Sequence, residues 1–386
     1  MKKEKKMTSR ERVLRAIEHK KTDRYPIDLG MHFSTGISVF AYYNLRKYLG
    51  LSTDTIEIVD MVQMLARVDE DILEMFHIDT MLLYPRAKQF QRWNPRGEYT
   101  FLASSDAVFE KTADGGYTQY KKGAEDLLLK MPENGFFFDG GWPEYRGNNF
   151  EEVVKRTASE AERLYHETDK FLAFMEFPAF FGGLDWMCDL YTDGNRIKKE
   201  QEAILKKQIR QADYLIKTFG DHIQMICLNS DLGTQMSPWI GKDMYDEYVF
   251  PYVKRFCEHI KSHSDYKIFL HSCGSIEPLI PSVIAAGVDV LNPVQISAAN
   301  MDPEILKERY GKEIAFWGGG ADTQKVLNLK DADDVAKNVK YLTDIFKKGG
   351  GFVFNQVHNI MGDIKPENIV SMLKTAYDNS FYVDEL

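Results

Sequence analysis

Eight short apolar runs recur along this chain, nearly all bounded by segments of helical periodicity, and this alternation restricts the fold more than any other feature. They fall at residues 25–29, 78–84, 171–177, 225–229, 267–271, 288–292, 314–318 and 352–355. Strands spaced by helices build a parallel sheet, and eight is the number that closes a (β/α)8 barrel. Gly287, Gly311 and Gly349-Gly350-Gly351 stand just ahead of runs, where a glycine ends a helix and lets the chain turn back into a strand. An open doubly wound sheet is the alternative. Against it, no G-x-G-x-x-G follows the first run, and Gly318-Gly319-Gly320 comes late and without that spacing. The expected fold is α/β, a single (β/α)8 TIM barrel over residues 1–386.

Two additions decorate it. Thr8 and Glu11 have capping-box spacing ahead of Val13, Leu14 and Ile17, which predicts an N-terminal helical extension. A second helix fits Met61 to Phe76. Residues 90–147 break the rhythm and read as a β-rich insertion, with a hairpin signal at Asp114-Gly115-Gly116 inside Phe101–Tyr120. The aromatic stretch Phe136 to Trp142 is either packing or a rim for substrate or partner. Nine more acidic than basic residues argue against nucleic acid. No apolar run approaches the ~18 residues of a membrane span, and the basic start leads into Thr8-Ser9-Arg10-Glu11 with no apolar secretory core. Four cysteines in 386 residues make no disulfide framework, so a cytoplasmic location is expected.

Barrel chemistry sits just past the C-terminal ends of the strands. Asp28 and His32 follow the first run, Tyr84 the second, Glu176 ends the third, and Asn229 and Asp231 end the fourth. His271-Ser272-Cys273-Gly274 ends the fifth, Asn292 and Gln295 the sixth, and Asn355 and His358 the eighth. His271 and Cys273 offer imidazole and thiolate two residues apart, a pair suited to a borderline-soft ion such as Zn²⁺. The bland reading is a buried thiol beside a satisfied histidine. His358 is the best third ligand, or else a hydrogen-bonded structural histidine. His166, His222, His259 and His263 lie on helices or their ends and read as solvated.

At these residues the sequence resembles the uroporphyrinogen decarboxylase family over essentially the whole chain. The segments are Glu11-Arg12-Val13-Leu14, Asp23-Arg24-Tyr25-Pro26, Asp231-Leu232-Gly233-Thr234-Gln235, His271-Ser272-Cys273-Gly274-Ser275, Gly287 to Pro293, Phe316 to Gln324, and Pro366-Glu367-Asn368-Ile369. Each is weak alone; their order is not. One branch of that family decarboxylates uroporphyrinogen without a cofactor, using an arginine-rich N-terminal segment. Here no arginine follows Pro26 until Arg46, which leaves a substrate with many carboxylates poorly compensated.

The other branch holds zinc-dependent methyltransferases that exchange a methyl group with a corrinoid on a separate small protein. Its zinc site is His-x-Cys at the fifth strand plus a cysteine at the eighth. His271 and Cys273 match; His358 stands where the cysteine would. The resemblance therefore implies zinc held by these three residues, a corrinoid-binding protein as partner, and a small methylated substrate. A His/Cys/Cys set on Zn²⁺ is formally neutral, whereas His271, Cys273 and His358 leave one positive charge. That favours demethylation of an O-methyl compound over thiol methylation. Asp231 or Glu176 would be a supporting partner or a fourth ligand. Asp28, His32, Tyr84, Asn229, Gln295 and Asn355 would contact substrate. The alternatives are a metal-free decarboxylase of a porphyrinogen-like substrate and a non-catalytic tetrapyrrole- or corrinoid-binding module.

Overall fold

The structure is a computed structural model and describes residues 7–140, 149–178 and 180–382. Six strands pair side by side in chain order, each parallel to the next: Ala173–Pro178, Met225–Asn229, Lys267–His271, Val290–Asn292, Ala315–Trp317 and Phe352–Val353. The first two runs close the ring. Ile27 bridges Phe354 and Thr80 bridges Phe171, both in the parallel sense, while the Asp79 N–H donates to the Ile27 carbonyl at 2.8 Å. The result is a (β/α)8 barrel.

The two-residue period of a strand sorts its side chains. Ala173, Met175, Met225, Cys227, Phe269, Val290, Ala315, Trp317 and Val353 fill the lumen. Ile226, Leu228, Ile268, Leu270, Leu291, Phe316 and Phe352 face outward and pack in the shell of helices. Continuing the inward series by one step on four strands reaches Asn229, His271, Asn292 and Asn355. The polar residues at the mouth are thus the next layer of the lumen, in register: His271 pairs with Asn229 on one side and Asn292 on the other.

The helix Ser9–Ile17 begins where the Thr8 hydroxyl accepts from the Glu11 N–H at 3.1 Å. Val13 and Ile17 belong to the lumen cluster, so this extension plugs the bottom of the barrel. No helix among the described residues is long and apolar enough to cross a membrane.

Elsewhere local chemistry departs from the periodicity. Met61 to Phe76 is not one helix: Ile58–Asp60 and Leu65–Ala66 form an antiparallel pair, and only Glu70–Met75 is helical. The buried Asp60 carboxylate accepts from the Val62 and Gln63 N–H groups at 2.8 and 2.9 Å, and this local competition turns the chain. The helix Val39–Tyr48 escapes the reading because seven of its ten residues are buried, which erases an amphipathic stripe. The helices Lys242–Tyr248 and Phe250–His263 follow one another, with Pro251 in the first turn of the second.

Between the second and third staves lies the β-rich segment. Phe90–Trp93 pairs with Phe101–Ser104, and Ala107–Lys111, Tyr117–Lys121 and Ala124–Met131 form a three-stranded antiparallel sheet. The hairpin therefore spans 107–121 instead of starting at Phe101. Residues 141–147 of the expected insertion lie outside the described residues, as does Trp142. Of the aromatic stretch, Phe138 is buried within 6.1 Å of the Trp93 ring. Phe136 packs edge-on to Phe40 and under the Arg96 guanidinium. Both are packing residues; Phe137 is exposed.

Candidate metal centre

His271 closes the fifth strand with its ring pointing into the barrel mouth. Its Nδ1 lies 2.9 Å from Asn292 Oδ1, while Asn292 Nδ2 donates to the Trp317 carbonyl at 2.9 Å. The second bond fixes which end of the amide faces the histidine. Nδ1 must then carry the proton, leaving the Nε2 lone pair free, as a support residue does for a metal-binding imidazole.

Cys273 Sγ sits 3.6 Å from that Nε2. Tetrahedral zinc with Zn–S of about 2.3 Å and Zn–N of about 2.0–2.1 Å separates such atoms by about 3.6 Å. One ligand atom each from His271, Cys273 and His358 lie within 4.8 Å of one another, and the two histidine rings are 5.9 Å apart. These residues fit the ion.

The loops that bring Cys273 there interleave two of the sequence motifs. The Cys273 N–H donates to Asp231 Oδ1, the Leu232 N–H to the Ser272 hydroxyl, and the Ser275 N–H to the Thr234 carbonyl. Gly274 has φ of 89°, and a side chain there would meet the backbone of Gly233 and Thr234 at 2.5 Å. Glycine is required on both counts. His358 holds φ of 63°, in the left-handed region that His19 and His77 also occupy.

Burial, with the neighbouring His271, pushes His358 down to about 4, so it is neutral at physiological pH. Burial and the Asp231 carboxylate push the Cys273 thiol well up. Zinc uptake should therefore release the thiol proton of Cys273 and none from His358. The sign follows: above about pH 7, apparent zinc affinity should rise by about tenfold per pH unit. Competition titration with a chromophoric chelator measures it, and a pH-independent affinity would contradict it.

The other residues expected at the site separate into groups. Asp231 lies at the cluster, 61% exposed, with Oδ1 3.6 Å from His271 Nε2. The side chain of Glu176 lies outside the described residues. Asp28 is fully buried below the mouth, where Oδ1 accepts from Thr80 and the Met31 N–H and Oδ2 from the Trp317 indole. Burial raises its carboxyl, and it braces the floor instead of facing a substrate. His32 is equally committed. Its Nδ1 accepts from the Ser34 N–H, so Nε2–H donates to Asn229 Oδ1 at 2.9 Å, and Asn229 Nδ2 donates to the Met175 carbonyl. Burial first, then His271, push His32 down to about 3. It is a neutral prop 5.5 Å from the His271 ring.

Gln295 accepts from the Gly274 N–H at 2.7 Å and holds the cysteine turn. Asn355 ties the first loop to the eighth strand through the Asp28 and Thr35 carbonyls. These positions support the cluster. Tyr84 differs, lining with Phe33, Asp60, Gln119 and Lys121 a cavity of about 250 Å³.

Two supports were not legible as such: Asn292, a strand end in the sequence, and Ser34, whose hydroxyl stands 2.8 Å from both Asn292 Oδ1 and His32 Nδ1 and donates to one of the two acceptors. The inward period was the available signal for Asn292. Asn292→Ala should leave the barrel folded but cost about 10- to 100-fold in zinc affinity, the usual loss for an outer partner of a histidine ligand. An unchanged affinity would remove its orienting role.

The architecture is that of (β/α)8 barrels whose polar residues converge at the C-terminal mouth. The uroporphyrinogen decarboxylase (URO-D) family model matches residues 185–378, and the chain belongs to that family. A methyltransferase from Methanosarcina mazei is similar in fold at a TM-score of 0.58 and 12% identity, over 96% of this chain and 99% of that one. An Escherichia coli homocysteine methyltransferase aligns at 0.32 and 8% identity over 61% of this chain and 78% of its own. A xylose isomerase domain protein from Planctomyces limnophilus aligns at 0.35 and 12% over 61% and 84%. No curated protein matches the sequence.

Proposed function

We propose that this protein is a zinc-dependent methyltransferase that moves a methyl group between a small O-methyl compound and the cobalt of a corrinoid on a separate protein. The convergence of His271, Cys273 and His358 at the mouth of a URO-D-family barrel carries this reading. When bound there, zinc would supply Lewis acidity to the methyl-bearing heteroatom and so improve a poor leaving group.

The chain's own residues do the rest. Asn292 aims the His271 lone pair, the Asp231–Cys273 backbone bond aims the thiol, and three ligands leave one position for substrate. A neutral histidine at 358 in place of a thiolate leaves the set more positive, which suits a developing oxygen anion. The floor below is closed by His32 and Trp317, both buried, so the substrate enters from the mouth, where the partner's cobalt must also approach. A thiol ligand of this kind suits a reducing compartment, and all four cysteines are free.

A specific observation weighs against a porphyrinogen substrate. Arg46, the first arginine after Pro26, is buried and paired with Asp69 and Asp71 at 2.9 and 2.8 Å. It has no charge to spare for substrate carboxylates.

The test is methyl transfer from a panel of small ethers, amines and thioethers to free cob(I)alamin, followed by loss of Co(I) absorbance. Turnover of ethers that requires zinc and disappears in Cys273→Ala supports the reading. Zinc-independent decarboxylation of a porphyrinogen would replace it.

A further inference from the structure

At the other end of the barrel a second cluster of ligand-type side chains assembles. Glu162 and His166 lie four residues apart on the helix Phe150–Glu167, hence on one face. His222 ends the short 3-10 turn Gly220–His222 that leads into the strand Met225–Asn229. One atom from each of the three lies within 4.8 Å of the others. The His166 and His222 rings are 5.6 Å apart, and each is 5.3 Å from the ring of Tyr165. The cluster sits where helices return to strand beginnings, so at least a strand's length, roughly 17 Å, separates it from the mouth.

The neighbouring acids on the same helix are committed. Arg163 binds Glu160 at 2.9 Å and also Glu167. By contrast, no cation among the described residues pairs with Glu162, and the side chains of His166 and His222 make no hydrogen bond to a described residue. Two imidazoles and one carboxylate, all uncommitted, are a ligand set for a borderline divalent ion. Ligand nitrogens and oxygens around such an ion stand about 3.3 Å apart, which the exposed Glu162 and His166 side chains reach by rotation.

We propose that Glu162, His166 and His222 form a second metal site, for Zn²⁺ or Co²⁺. It pins the C-terminal end of the helix Phe150–Glu167 to the turn that enters the fourth strand. Its position remote from the mouth makes it a structural clamp, independent of the methyl-transfer reading.

Cobalt(II) titration of the full chain tests this, because only the site with Cys273 gives a thiolate-to-cobalt charge-transfer band. The wild type should take up a second equivalent without further growth of that band. The double variant His166→Ala/His222→Ala should lose the second equivalent and keep the band, which also reports an intact fold. Cys273→Ala should lose the band and keep the second equivalent. One ion with no band, abolished in the double variant, would sustain this site and overturn the one at the mouth. A stoichiometry unchanged in the double variant, or a single equivalent in the wild type with the band fully developed, would overturn the clamp.

Discussion

Replacing His358 with alanine should release the zinc held at the mouth, one equivalent, while leaving the barrel folded, because this residue sits at the mouth and not in the apolar lumen. His358→Cys should keep the metal and remove one unit of positive charge from the set. Activation of an ether should then fall. Losing ~2–3 kcal/mol of transition-state stabilisation slows transfer by about 30- to 150-fold. Zinc content by atomic emission and single-turnover transfer rates separate the two effects. Full zinc in His358→Ala would make this histidine structural, and the charge argument for an O-methyl substrate would fall with it.

The largest expected effect on stability lies at the opposite end. Asp79 is fully buried and accepts from Arg12 at 2.6 Å, from Arg24 at 2.8 and 3.0 Å and from the Ile27 N–H at 2.8 Å. Asp79→Ala would leave two guanidinium groups underground with their shared anion gone. Breaking a buried pair on one side costs about 3–5 kcal/mol, here offset in part by Asp23, which still holds Arg12 through two 2.7 Å bonds. Asp23→Ala should cost less, since Asp23 is 40% exposed. Urea unfolding should show a lowered midpoint at unchanged slope. A loss below ~1 kcal/mol for Asp79→Ala would contradict this reading of the cluster.

That ionic cluster shows where sequence stops being informative. Arg12, Asp23 and Arg24 stood out as family-like segments, yet their common partner is 55 residues beyond Arg24, and nothing local announces it. The staves were legible because apolar runs between helical segments have one economical arrangement; even the first two, joined to the ring by isolated bridges, were found from apolarity alone. His271, Cys273 and His358 could be brought together on paper because barrel strands all end at one mouth.

The roles of His32, Asp28, Asn229, Gln295 and Asn355 could not be read in the same way. A polar residue at a strand end is equally suited to hold a ligand or to hold another residue. Only the hydrogen-bond partners decide, and here most are spent on neighbours. Met61 to Phe76 failed for a related reason: one carboxylate, Asp60, outweighed a helical pattern spread over sixteen positions.

The proposed function rests on zinc held by His271, Cys273 and His358. X-ray absorption at the zinc edge tests this on full-length His166→Ala/His222→Ala protein loaded with a single equivalent, so that only the mouth is filled. The expected result is one sulfur at about 2.3 Å and nitrogen or oxygen neighbours at about 2.0–2.1 Å, with the sulfur shell lost when Cys273→Ala is added. A shell of nitrogen and oxygen alone in that protein, with Cys273 in place, would contradict it.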